Sequence, residues 1–251
     1  MGKLLQYINN PVFDNSYIGE EIGQGVYSEV YKIYSENSVS ALKVKPVFAD
    51  NTESLNKKLA VAQVEADIMY RLKACPYIVG YRGREVQKVT NSFYLFMIRT
   101  ELLAQFSDYY NNIYNIAHDI GQALSYVHKN GIIHCDIKPD NFFRDLSGRY
   151  KLGDFNVSRY DGENRGIAGT AGYTAPELNE SGCSYQSDIY SFGVSLSEIS
   201  RRQVVSEEFY EIIKKACSAD VHYRYRNVDD ILYDIDNIKT DYYVDPAEYF
   251  G

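Results

Sequence analysis

Lys43 stands inside the apolar run Ala41-Leu42-Lys43-Val44, where an ammonium group must reach water or find an anion. Further along, Val61, Ile68 and Leu72 fall on one stripe of a stretch with helical spacing, and Glu65 lies on that stripe too. A carboxylate there is costly unless paired, so Lys43 and Glu65 are a candidate buried ion pair. A helix turned to expose Glu65 is the alternative. Upstream, Ile22-Gly23-Gln24-Gly25-Val26-Tyr27-Ser28-Glu29-Val30 sets two glycines one residue apart. That spacing lets a backbone close over phosphates, and it also suits a plain hairpin turn. Three more stretches gather polar groups: His134-Cys135-Asp136-Ile137-Lys138-Pro139-Asp140-Asn141, Gly153-Asp154-Phe155-Asn156, and Gly169-Thr170-Ala171-Gly172-Tyr173-Thr174-Ala175-Pro176-Glu177.

These groups need elements to hold them. Residues 17–48 alternate apolar and polar positions with glycine punctuation, which predicts strands. A helix is expected over 55–74, then a strand pair over 78–89 and 93–101, the latter beginning FYLFMI. Ile113, Ile116, Ile120, Leu124 and Val127 form the apolar face of a second helix, which Asn130-Gly131 should end. Short strands near 141–144 and 150–153 flank DLSG, a hairpin-turn signal. Loop is expected from there to about 184, then helices near 186–200, 206–217 and 227–237. Strands with one helix, followed mostly by helices, make an α+β chain in two lobes with a boundary near Glu101–Gln105.

Composition narrows the class. The chain has 251 residues, a net charge of −8, 45% hydrophobic residues and 24% charged ones, as expected of a globular protein large enough to bury a core. The acidic balance argues against a nucleic-acid binder, and no apolar run is long enough to span a membrane. The start MGKLLQ has no apolar segment of the signal-peptide kind, and Gln6 stands where myristoylation after Gly2 would want Ser or Thr. Cys75, Cys135, Cys183 and Cys217 lie far apart along the chain and read as reduced thiols of a cytoplasmic protein; the four histidines show no zinc spacing. The chain also carries 25 tyrosines and no tryptophan, for which composition offers no reason.

Taken in order, the glycine pair, the strand lysine, the helix glutamate and the three polar stretches resemble the signature set of the eukaryotic-type protein kinase family, over about residues 17–235. The compact form is similar to bacterial members. The resemblance implies a bilobal fold: a small β-rich N-lobe with one helix (1–101), a mainly helical C-lobe (102–237) and a tail (238–251), together one kinase domain over 1–251. It implies ATP and Mg²⁺, with Mn²⁺ as the substitute ion, and transfer of the γ-phosphoryl group to a protein Ser or Thr hydroxyl. By position, Ile22, Gly23 and Gly25 would cover the nucleotide, Val30 and Ala41 would sandwich the adenine, and the Glu101 carbonyl and Leu103 N–H would meet its edge, with Thr100 as gatekeeper. Lys43, fixed by Glu65, would hold the α- and β-phosphates. Asp136 would accept the hydroxyl proton, Lys138 would neutralise the γ-phosphate, and Asn141 and Asp154 would hold the metal. Lys138 and Thr170 resemble the serine/threonine class. Glu177 would pair with Arg224, and Asp188 would brace the catalytic loop.

Three departures stand out. Cys135 replaces the arginine that usually receives the phosphate of the activation loop, so activity independent of that switch is expected, with Arg165 or another cation as the substitute. Asn156 replaces a glycine, and the turn there is expected to survive because asparagine tolerates left-handed backbone. Asp188 and Arg224 are close in sequence, which predicts a shortened C-lobe. The competing readings are a pseudokinase or scaffold of the same fold, and a small-molecule kinase. The acidic surface bears on a preference for basic protein substrates.

Overall fold

The computed structural model of the protein describes residues 3–10, 12–13, 15–26, 28–105, 112–163 and 166–238. In chain order the elements are β1 (Tyr17–Gln24), β2 (Glu29–Ser35), β3 (Ser38–Phe48), α1 (Thr52–Leu72), β4 (Tyr81–Lys88), β5 (Phe93–Glu101), β6 (Ala104–Gln105) and α2 (Ile113–Lys129). There follow β7 (Ile132–Ile133), β8 (Phe142–Arg144), β9 (Tyr150–Leu152), β10 (Arg159–Tyr160), α3 (Leu178–Ser181), α4 (Tyr185–Ser200), α5 (Glu207–Ala216) and α6 (Val228–Asp236). The fold is α+β, and the chain divides into two compact units, Met1–Gln105 with Phe143–Ser158, and Phe106–Phe142 with Arg159–Gly251.

The first unit is built on an antiparallel five-stranded sheet in the order β1-β2-β3-β5-β4. Strand alternation sorts its residues by face. Tyr31, Ile33, Leu42, Val44, Leu95 and Met97 point one way and form a core with Ile8 and Val12 of the N-terminal segment. Val30, Lys43 and Ile98 are cross-strand partners on the opposite face, which α1 covers. Both faces of β5 are therefore covered, which explains its nearly unbroken apolar sequence. A smaller sheet in the order β6-β8-β9 belongs largely to the same unit, and its hairpin turns at Gly148, φ +89°, over the Asp145 side chain.

α1 begins at Asn51, whose side chain accepts the Ser54 N–H as an N-cap. Its buried residues start at Glu65 and continue through Ala66, Ile68, Met69 and Leu72. Val61 departs from the stripe expected of it and is 72% exposed. Helical period places it in line with Ile68, yet burial follows what lies beneath the helix, and the first half of α1 buries nothing.

The second unit is helical. α2 buries all five residues of its expected face, is capped by Asn112, and ends at Asn130 with Gly131 at φ +70°. It packs against α4 and α6, and α5 packs against both of those helices. α4 ends at Ser200 and α5 starts at Glu207, which fits the expected shortening. The stretch expected to be loop up to 184 contains β10, paired with β7, and α3. None of these is longer than four residues, too short to show a period.

The N-terminal segment is tied down by one carboxylate. Glu29, nearly buried at the start of β2, accepts the N–H groups of Lys3 and Leu4, each at 2.9 Å, and the Tyr31 hydroxyl. Glu29→Ala leaves these donors without their acceptor. We expect faster amide hydrogen exchange at Lys3 and Leu4 and a loss of about 1–3 kcal/mol in urea unfolding.

Candidate active site

Two sets of polar residues emerge, one in each unit. In the first, Lys43 Nζ lies 2.8 Å from Glu65 Oε1 and 2.6 Å from Asp154 Oδ1. Glu65 is only 3% exposed, and its carboxylate is doubly engaged. Lys45 Nζ sits 2.5 Å from its other oxygen, an ion pair without hydrogen-bond alignment, and donates to Asn156 Oδ1 at 2.6 Å. Burial alone would depress the Lys43 ammonium, but the charges of Glu65 and Asp154 outweigh it and hold the group above the ordinary lysine range. The expected Lys43–Glu65 pair is thus present. Lys45 escaped notice in the sequence, although it stands two residues along β3 and so on the same face.

The turn at 154–156 differs from expectation. Asp154, not Asn156, takes the left-handed conformation, at φ +60°. Asn156 contributes its side chain to Lys45, a bond that glycine could not make. At the glycine pair, the Gly25 N–H donates to the Ser28 carbonyl at 2.8 Å and closes the turn between β1 and β2; Tyr27 is outside the described residues. Ile22 is exposed at the end of β1, while Val30 and Ala41 are half-buried beside Lys43 on its face of the sheet. Glu101 closes β5: its carboxylate accepts the Gly80 N–H and the Lys151 ammonium, both at 2.7 Å, and its carbonyl accepts the Thr100 hydroxyl at 3.1 Å. Leu103 follows, half-buried, just before β6.

In the second unit, Asp188 of α4 shapes the loop after β7. Its two oxygens accept the N–H groups of His134 and Cys135, each at 2.8 Å, and His128 Nε2 lies 3.0 Å away. Cys135 is held at φ +69°, a conformation uncommon outside glycine. The next residue, Asp136, is aimed by three neighbours. Thr170 Oγ1 donates to Asp136 Oδ1 at 2.6 Å, Lys138 Nζ donates to Thr170 Oγ1 at 2.7 Å, and Lys138 lies 3.1 Å from Asp136 Oδ2. Asn141 Nδ2 donates to the Asp136 carbonyl at 2.7 Å. Thr170 comes this close because Gly169, at φ +128°, has no Cβ to meet Thr174 and the Cys135 carbonyl. His128, which the sequence did not single out, thereby joins the support of the loop.

Such an arrangement holds one carboxylate ready to take a proton, next to a cation that can neutralise a transferring anion. The residues also suit a hard cation. In the first unit Asp154 offers carboxylate oxygen; in the second the amide nitrogen of Asn141 is committed to Asp136, so its side-chain oxygen is the atom that suits such an ion. Among the described residues no three His, Cys, Asp or Glu side chains gather at one point. Arg165, the expected substitute cation, lies outside the described residues, as do Gly2 and the tail beyond Ile238.

Comparison with known proteins gives a consistent result. The family model "Protein kinase domain" matches residues 17–238. The serine/threonine-protein kinase RUNKEL of Arabidopsis thaliana is 32% identical over 216 residues, which cover 79% of this chain and 15% of that protein. A probable serine/threonine-protein kinase of Clostridium acetobutylicum is 27% identical over 277 residues, covering 95% of this chain and 42% of that protein. Mitogen-activated protein kinase kinase kinase 17 of Arabidopsis thaliana is 28% identical over 201 residues, covering 72% and 50%. The chain thus spans half or less of the length of each of these relatives.

Glu177, which ends the stretch begun at Gly169, pairs with Arg224 at 2.6 Å, and the Arg224 side chain is fully buried. Burial pushes the Glu177 carboxyl up, yet the Arg224 guanidinium outweighs it and holds the group below its ordinary value of 4.5. A carboxyl lowered by folding stabilises the protein above its ordinary pKa, and that contribution fades as pH falls through the folded value. Glu177→Gln should therefore flatten the acid limb of a stability–pH curve below pH about 4.5. Glu177→Ala, which strands a buried arginine, should cost about 3 kcal/mol in urea unfolding at neutral pH.

Proposed function

The chain belongs to the protein kinase family, and on that premise we propose that it is an active serine/threonine protein kinase using ATP with Mg²⁺, or Mn²⁺ in its place. The observation that carries this reading is the Lys138–Thr170–Asp136 cluster, in which a carboxylate, a cation and a hydroxyl fix one another. Bound Mg-ATP supplies the γ-phosphoryl group and a divalent charge against the phosphates. Lys43 would hold the α- and β-phosphates, with Glu65 keeping its ammonium in place. Asp154 and Asn141 are the residues that would hold the metal. Ile22, Gly23 and Gly25 cover the nucleotide, Val30 and Ala41 enclose the adenine, and the Glu101 carbonyl with the Leu103 N–H reads its edge.

Asp136 takes the proton from the serine or threonine hydroxyl of the acceptor protein, at the oxygen that Thr170 does not occupy. Lys138 lies against the negative charge that spreads over the transferring group. Cys135 has no charge to offer a phosphorylated loop, so transfer proceeds without that switch. The four thiols are unpaired, which suits a reducing compartment, and we place the protein in the cytoplasm. Among the described residues no helix is long and apolar enough to cross a membrane.

The test is incorporation of labelled γ-phosphate into a basic protein substrate. Wild type should transfer label to serine and threonine, seen by phosphoamino-acid analysis, and Asp136→Asn should lower the rate about 10²–10⁴-fold. Lys43→Met should lose transfer with folding intact by circular dichroism. A wild type as silent as Asp136→Asn with both Mg²⁺ and Mn²⁺ would leave the scaffold reading in its place.

A further inference from the structure

Side chains of the first unit close into a ring that reaches beyond the Lys43–Glu65 pair. Lys43 and Lys45 stand two residues apart on β3, and so on one face of the sheet. Both ammonium groups reach Glu65, at 2.8 Å and 2.5 Å, one on each carboxylate oxygen. Lys43 goes on to Asp154 Oδ1 at 2.6 Å, and Lys45 goes on to Asn156 Oδ1 at 2.6 Å. The backbone from Asp154 to Asn156 completes the ring. Glu65 is also the residue at which α1 first becomes buried, so the ring ties together three segments remote in sequence: β3, α1 and the turn at 154–156.

Charge accounts for the second lysine. Glu65 and Asp154 bring two negative charges, and Lys43 alone would leave one of them unbalanced around a buried carboxylate. Lys45 makes the cluster neutral. Its bond to Asn156 has a further effect. Asp154 is held at φ +60°, a left-handed conformation that few non-glycine residues adopt. Phe155, fully buried, fixes the middle of the turn, while Asn156 at its far end is exposed and is gripped by Lys45.

We propose that Lys45 and Asn156 are positioning residues, which together hold the turn at 154–156 against β3 and so set where the Asp154 carboxylate points. The asparagine makes a bond that the glycine it replaces could not, because glycine has no side chain to offer the lysine. Asn156 itself has no positive φ, so the backbone freedom of glycine is not needed at this position. Lys45 acts on Asp154 by two routes: through Asn156 and the turn, and through Glu65 and Lys43. The consequence for transfer rests on the kinase reading. A carboxylate set in place beforehand loses less freedom when it takes a divalent cation, so the pair raises affinity for the metal. The anchoring of the turn does not rest on that reading.

The Ser158 N–H donates to the Phe155 carbonyl at 3.2 Å and reports on the turn. In the full chain without metal or nucleotide, Lys45→Met and Asn156→Ala should each speed its amide exchange about tenfold, the effect of losing one hydrogen bond to a charged group. The double variant should exchange no faster than Lys45→Met, because the shared bond can be lost only once. Asn156→Asp, which keeps an oxygen within reach of Lys45, should restore slow exchange, whereas Asn156→Gly should behave as alanine does. Lys57→Met removes an exposed lysine paired with Glu53 on α1 and should leave the exchange as it is. In the transfer assay, Asn156→Ala should raise the Mg²⁺ concentration for half-maximal rate about tenfold or more, with the KM for the acceptor protein unchanged. The proposal is overturned if Ser158 exchanges alike in wild type, Lys45→Met and Asn156→Ala, if the two effects add in the double variant, or if Lys57→Met speeds exchange equally. Faster exchange with an unchanged Mg²⁺ requirement would overturn the link to the metal. Faster exchange in variants of a protein whose wild type transfers no phosphate would sink the kinase reading and leave the anchoring standing.

Discussion

A charge taken out of water must find its opposite, and that constraint organises both halves of this molecule. Glu65 is nearly inaccessible, and two lysines of β3 converge on it. Asp188 is nearly inaccessible, and two backbone N–H groups converge on it. Arg224 is fully buried and is met by Glu177 and two carbonyls. Each of these groups joins segments remote in sequence. The helix α1 is pinned to the sheet, α4 to the loop after β7, and the stretch ending at Glu177 to the chain before α6.

The candidate catalytic groups are held at one remove by the same means. Asp136 makes no bond to Asp188, yet the two residues before it do, and their geometry sets where Asp136 can point. The positive φ of Cys135 is kept by that contact, because an isolated residue would relax out of it at a gain of about 1 kcal/mol or more. The final aim comes from Thr170 and Lys138, whose approach depends on a glycine at 169. In the first unit, Lys43 is a cation already balanced by two carboxylates, so exchanging one of them for another anion changes its partner without leaving its charge exposed.

Much of this was legible in the residues. Period-2 and period-3.6 patterns place the long elements because burial acts on every turn of them; α2, with its face of five apolar residues, is the plainest case. The Lys43–Glu65 pair was legible because a lone charge in an apolar run has few outcomes. Val61 misled, because period reports the direction a side chain faces and says nothing about whether the sheet reaches that far. β7, β10 and α3 left no trace in the pattern, since elements of two to four residues exist by virtue of their partners.

By itself the sequence determined the family signature, the candidate groups it carries and the order of the long elements that present them, since residue type and spacing are local properties of a chain. Two things waited for the tertiary structure. It recruited Lys45 as a second cation on Glu65, and it gave the left-handed turn to Asp154 in place of Asn156. Both depend on where remote segments meet, and no window of sequence contains that information.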